Sequence, residues 1–187
     1  MKRFLMSNTT RLCSDFHLNH ENVLKYDTLR WVKFPTIWDM NNRILEELKS
    51  KVKQDDELIF LWDLAFQSWK LAEPYVSQIP GKKKWVLWNH DWNEYINLRK
   101  YFFSVQRNLW IDYKWFRIRL NHFPPVSQRE NYKVLPDVIY IHGHTHKPNW
   151  ACNLYDISYN GWQLLYNLDD IIEDAMKHWM KQNKNLL

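Results

Sequence analysis

The sequence predicts an α/β protein. Three observations lead there: short apolar runs alternate with amphipathic stretches along the whole chain, several of those runs stop at clustered polar side chains, and no internal repeat or low-complexity tract interrupts the pattern. The second observation is plainest at Val86-Leu87-Trp88-Asn89-His90-Asp91. An apolar run that ends at an amide, an imidazole and a carboxylate reads as a buried strand delivering chemistry from its C-terminal end, where open α/β sheets place their sites. Leu12-Cys13-Ser14-Asp15-Phe16-His17, Leu58-Ile59-Phe60-Leu61-Trp62-Asp63 and Val138-Ile139-Tyr140-Ile141-His142-Gly143-His144-Thr145-His146 end the same way, and Ile118-Arg119-Leu120-Asn121-His122 supplies one more imidazole.

In chain order, residues 9–14 read as the first strand, ending at Asp15 and His17. Residues 18–35 lack a clean period and read as a loop bearing His20. Thr36-Ile37-Trp38-Asp39 has capping-box spacing, with Asp in place of Glu or Gln, and opens a helix whose Met40, Ile44, Leu48 and Val52 share one core-facing side. Residues 57–61 form a second strand aimed at Asp63, and 70–79 a short helix limited by Pro74. Pro80-Gly81 is a turn before a third strand at 83–87, with Lys82-Lys83-Lys84 read as its solvated approach. Residues 93–103 read as a helix with Ile96, Tyr101 and Phe103 partly buried.

Residues 109–113 and 116–120 alternate like the strands of a hairpin, with Lys114-Trp115 between them. Phe123-Pro124-Pro125 stops the second of these, 129–136 is a polar loop, and 137–141 is a strand presenting His144 and His146. Residues 153–158 and 163–166 read as closing strands. Asn167 then caps a last helix with Asp169, Asp170 and Glu173 near its start and Lys177 and Lys181 toward its end, the polarity that the helix dipole prefers.

A chain of 187 residues suits one substantial core, so residues 1–187 are expected to form a single domain. Cys13 and Cys152 form no C-x-x-C pair and read as reduced core thiols, which fits the cytoplasm. The basic N-terminus lacks an apolar stretch of signal-peptide type, and no run is long enough to span a bilayer, so neither secretion nor membrane insertion is expected. A net charge of +5 permits an anionic partner without naming one.

The ordered set Asp15-x-His17, Asp63 after an apolar strand, Asn89-His90-Asp91, the lone His122 and Gly143-His144-x-His146 resembles the calcineurin-like metallophosphoesterase superfamily, and within it the small single-domain bacterial phosphoesterases. The resemblance implies two stacked mixed β-sheets flanked by helices, a four-layer α/β/β/α sandwich. It also implies a dinuclear centre in which Asp15, His17 and His146 hold one ion, Asn89, His122 and His144 the other, and Asp63 bridges them. A hydroxide bridging the ions then attacks the phosphorus of a phosphate mono- or diester. The donor chemistry is compatible: carboxylate and imidazole without thiolate suit Mn²⁺, the first expectation, or Fe²⁺, Zn²⁺, Ni²⁺ or Co²⁺. Seven donors exceed one tetrahedral ion and suit a pair about 3.5–4 Å apart.

His90 is expected to act on the leaving side as general acid or cationic contact, with Asp91 setting its tautomer and raising its pKa. His20, Asn89 and His90 are the expected substrate contacts. His142 is read as structural, His178 sits on the last helix with no partner in view, and neither is placed in the site. The expected partner is a small phosphate ester or nucleotide; nucleic acid is not favoured, and a nuclease for nucleic-acid ends or a catalytically weakened scaffold of the same fold are the alternative readings. The sequence does not speak to oligomeric state.

Composition adds one anomaly. There are 3 glycines and 12 tryptophans, where about 7% glycine, roughly 13 residues, is usual. The family places glycine before the second Asp and before Asn-His-Asp, where this chain has Trp62 and Trp88, and the hairpin turn that prefers glycine has Trp115. The pattern predicts that many tryptophans stand at glycine codons, as happens when a gene whose code reads UGA as glycine is translated with one that reads it as tryptophan. Reverting Trp62 and Trp88 to glycine is then expected to raise both stability and activity.

Overall fold

The computed structural model describes residues 9–66, 69–87, 96–125, 134–151 and 153–182. Its strands are β1 (Thr10–Ser14), β2 (Glu57–Leu61), β3 (Lys82–Val86), β4 (Ser104–Gln106), β5 (Leu109–Tyr113), β6 (Phe116–Leu120), β7 (Val138–His142), β8 (Trp150–Ala151), β9 (Leu154–Asp156) and β10 (Tyr166–Asn167). They make two five-stranded mixed sheets, ordered β10-β1-β2-β3-β4 and β5-β6-β7-β9-β8. In the first, β1 to β4 run parallel and β10 closes one edge antiparallel. In the second, β6, β7 and β9 are parallel, while β5 and β8 lie antiparallel at the two edges.

Period-2 alternation explains how the sheets stack. One face of the first sheet, with Cys13, Leu58, Phe60 and Trp85, packs on α3 (Ile37–Lys51) through Met40, Ile44 and Leu48, and on α4 (Trp69–Val76) through Ala72 and Val76. The other face, with Leu12, Ile59, Leu61 and Val86, meets Ile118, Leu120, Ile139 and Ile141 of the second sheet; α5 (Leu168–Gln182) adds Ile171 and Ile172 to that cluster. The central strands are buried on both faces, which is why they read as unbroken apolar runs.

The expected caps are present. Thr36 Oγ1 accepts from Asp39 N at 3.1 Å, and Asn167 Oδ1 accepts from Asp169 N at 3.0 Å. Residues 18–35 are not a plain loop: they contain α1 (Glu21–Tyr26) and α2 (Thr28–Lys33), each only six residues long, too short to show a period. The helix expected over 93–103 closes in a 3₁₀ turn at Arg99–Tyr101, Ile96 and Phe103 are exposed rather than partly buried, residues 104–106, which the sequence left without an element, form β4, and closing strands lie at 150–151, 154–156 and 166–167. Of the lysine triplet only Lys82 is the expected solvated approach. The triplet begins β3, where Lys84 is buried against Glu57 and the Lys83 ammonium donates to the Ile79 carbonyl. At the hairpin tip the left-handed conformation falls on Lys114 (φ 53°), not on Trp115, which is exposed.

Candidate metal centre

The parallel strands β1, β2, β6 and β7 end on one side of the sandwich and set the site there. Beyond β1 and β2 the chains stay paired, with His17 N donating to Asp63 O at 2.8 Å and Leu18 N to Leu64 O at 3.0 Å. Across the two sheets Tyr159 N donates to Ser14 O at 3.1 Å, and beyond the paired β6 and β7 of the second sheet Gly143 N donates to His122 O at 3.2 Å. The loops turn sharply. Asp15 (58°), His17 (52°), Asn19 (64°), Trp62 (51°), Asp63 (44°), His144 (74°) and His146 (54°) all have positive φ, a conformation that costs a residue with a Cβ about 1–2 kcal/mol. Such strain persists only where the surroundings hold it, and here it coincides with five expected ligands. Gly143 is irreplaceable for a different reason: a Cβ on it would run into the Asp15 carboxylate and the Ser14 hydroxyl.

Among the described residues two donor groups form. Asp15, His17 and His146 make one, and Asp15, Asp63 and His122 the other; within each, one ligand atom per residue lies within 4.8 Å of the rest. His17 Nε2 and His146 Nε2 are 3.1 Å apart. Asp63 Oδ2 stands 3.6 Å from His17 Nε2 and 3.6 Å from His122 Nε2, so it faces both groups. Asp15 also belongs to both, a sharing that the motif reading gave to Asp63 alone. The His144 ring lies 4.8 Å from that of His122, and its backbone N donates to Asp15 Oδ1 at 3.0 Å. Converging carboxylate and imidazole atoms with no thiolate fit hard or borderline divalent ions. Burial, followed by the Arg30 charge and then neighbouring imidazoles, holds His17 well below the ordinary histidine range. It is therefore neutral near pH 7, the form that binds a metal.

His20 sits beside these donors, its ring stacked on Phe66 at 4.0 Å and 5.7 Å from the ring of His17. A cleft of about 230 Å³ is lined by His17, His20, Asp63, Phe66, His122 and His144. A second of about 430 Å³ opens between His17, His20, Tyr26, Leu29, His146 and Lys147. Asn89, His90 and Asp91, with Trp88 before them, lie outside the described residues. His142 is buried with Nδ1 3.5 Å from Asp156 Oδ2, and His178 Nδ1 lies 3.0 Å from Asp174 O on its own helix. Two residues absent from the motif reading, Asp27 and Arg30, stand directly behind His146. Their only sequence signal is Asp27 at a helix N-cap, which marks a cap and not a site.

A crystal structure from Aquifex aeolicus, AQ665, a protein of unknown function, superposes with a TM-score of 0.64 at 23% identity, covering 81% of this chain and 90% of that one. The two chains share a fold. MJ1445 of Methanocaldococcus jannaschii, an uncharacterised protein, is 28% identical over 138 residues, 72% of this chain and 68% of its own. YfcE, a phosphoesterase from E. coli, aligns at 13% identity with a TM-score of 0.45 over 80% of this chain and 77% of that one. No family model matches the chain. Like AQ665, the chain is an α/β sandwich, and its two stacked mixed sheets and Asp/His groups are what the resemblance to metallophosphoesterases implies. No helix among the described residues is long and apolar enough to cross a membrane.

Proposed function

We propose that this protein is a dinuclear metal-dependent phosphoesterase, a hydrolase of small phosphate mono- or diesters or nucleotides, acting in the cytoplasm and using Mn²⁺ by preference. The observation that carries the reading is the convergence of Asp15, His17, Asp63, His122 and His146 from four strand ends onto two overlapping donor groups. With His144 and Asn89 these residues would hold two divalent ions, which supply an activated water and neutralise phosphoryl charge. Asp15 and Asp63, facing both groups, hold the two halves of the centre in register. His20, on the rim of both clefts, meets the ester, and the larger cleft accepts its organic group. His90, kept in its tautomer by Asp91, protonates the leaving oxygen or pairs with a phosphoryl oxygen. The reduced, buried Cys13, whose thiol burial pushes up, is inert and accords with a cytoplasmic setting.

Trp62 favours a second reading, a scaffold of the same fold with weakened catalysis. Its indole is fully buried with Nε1 unpartnered among the described residues, and lies 5.5 Å from the His122 ring. Assays of p-nitrophenyl phosphate, bis-p-nitrophenyl phosphate and single-stranded oligonucleotides, each with and without Mn²⁺, separate the readings. A small-ester phosphoesterase hydrolyses one of the first two only with metal and loses that activity in Asp63→Ala. A scaffold hydrolyses none, and a nuclease prefers the oligonucleotides.

A further inference from the structure

We propose that Asp27 and Arg30 are positioning residues that hold His146 in its ligand tautomer and brace the loop bearing Asp15 and His17. The proposal rests on the metal-centre reading above. It begins with the two nitrogens of one ring. His146 Nε2 faces the donor group, 3.1 Å from His17 Nε2 and 3.8 Å from Asp15 Oδ1. His146 Nδ1 faces away from it, 3.3 Å from Asp27 Oδ2. A ligating nitrogen must present its lone pair, so the proton belongs on the other nitrogen, and a carboxylate there accepts it and fixes both tautomer and ring direction.

Arg30 Nη2 also stands 3.3 Å from His146 Nδ1. The two neighbours ask opposite things of that nitrogen, since a guanidinium can only donate whereas a carboxylate can only accept. The other bonds of Arg30 decide between them. Nη2 donates to Asp15 O at 2.6 Å and to Tyr159 O, and Nη1 donates to Phe16 O at 3.1 Å. Its donors are thus engaged by three carbonyls, which leaves Nδ1 free to donate to Asp27. The guanidinium is completely buried, and Nε pairs with Asp27 Oδ2 at 3.0 Å.

Asp27 is fixed in turn, because Oδ1 accepts from Leu29 N at 3.1 Å and Arg30 N at 3.3 Å at the start of α2. The clasp therefore ties together three pieces distant in sequence: the loop after β1, the start of α2 and the Gly-His-x-His segment. A buried arginine that binds the carbonyls of Asp15 and Phe16 also helps to hold the left-handed turn at Asp15 and His17.

The test has two parts. Long-range ¹H–¹⁵N spectra of the metal-free wild type should show the His146 ring protonated at Nδ1; a ring protonated at Nε2 overturns the proposal, whether or not metal binds. Mn²⁺ titration by calorimetry should then show Asp27→Asn binding one ion 10–100-fold more weakly at equal folded fraction, the usual effect of losing such a partner, with Asp27→Glu recovering part of the loss. Asp27→Asn strands a buried guanidinium and can fail to fold, so the double variant Asp27→Asn, Arg30→Met, which leaves no unpaired buried charge, is measured beside it. Wild-type affinity in a folded variant overturns the clasp. A wild type that binds no Mn²⁺ overturns the metal-centre reading instead, while the tautomer measurement still decides the ring's partner.

Discussion

Trp62→Gly sets two structural terms against each other. In favour of the substitution, a left-handed backbone at a residue with a Cβ costs about 1–2 kcal/mol, and a buried N–H without a partner about 1–3 kcal/mol; Trp62 has φ 51° and an Nε1 unpartnered among the described residues. Against it, emptying the site of a buried tryptophan costs about 3–5 kcal/mol, and the indole is only 1% exposed among Leu12, Ile59, Leu61 and Val86. The terms nearly cancel, so the stability gain expected from the motif alone is not expected from the structure. Trp85 is the internal control, equally buried and with an Nε1 likewise unpartnered among the described residues, but in strand β3 and without positive φ. Urea unfolding should therefore find Trp62→Gly more stable than Trp85→Gly by about 1–2 kcal/mol, the backbone term alone. Mn²⁺ affinity should rise in Trp62→Gly, because its indole packs against the ring of His122. Equal losses in the two variants would refute the strain argument, and unchanged or weaker Mn²⁺ binding the steric one. Ordinary UGG codons at positions 62 and 88 would remove the recoding explanation while leaving both arguments to stand on the protein.

Further outcomes follow from the site and from one surface pair. Asp63→Ala should lose more Mn²⁺ affinity than His144→Ala or His146→Ala, because its Oδ2 stands 3.6 Å from an imidazole of each group; calorimetric titration of the three variants checks the order. His90→Ala should keep its metal and lower turnover by about 10²–10⁴-fold on a substrate with a poor leaving group, and unchanged turnover makes His90 a spectator. Asp169 is held below the ordinary carboxylate range: burial acts to raise it but is outweighed by hydrogen bonds from Lys114 and Tyr113 and by the Lys114 charge. A depressed folded-state pKa means that this pair's contribution is present above the unfolded value of about 4 and is lost as pH falls through the folded value. Urea midpoints from pH 6 to pH 2 should thus fall less steeply for Asp169→Asn than for the wild type.

Asp15, His17, Asp63, His122 and His146 were legible in the sequence because each ends or follows an apolar run, and parallel strands with a common direction must bring such ends together. The α3 stripe and its Thr36 cap were legible because both signals are local. Asp27 and Arg30 were not, since their meaning lies in contacts with His146, 119 and 116 residues away, for which no local pattern exists. Strands β4 and β8, of three and two residues, are too short for alternation to register, and pairing with their neighbours creates them. Lys84 of the lysine triplet misled for a related reason: a charged residue reads as solvated until a partner strand, here β2 with Glu57, supplies its counter-charge. Trp115 misled because a two-residue turn can place its left-handed residue first, and Lys114 takes that position.

The central claim is a centre for two metal ions, and elemental analysis of the purified protein after Mn²⁺ reconstitution and desalting tests it most directly. Two ions per chain, falling in Asp63→Ala together with hydrolysis of bis-p-nitrophenyl phosphate, is the predicted result; a folded wild type that retains no metal contradicts it.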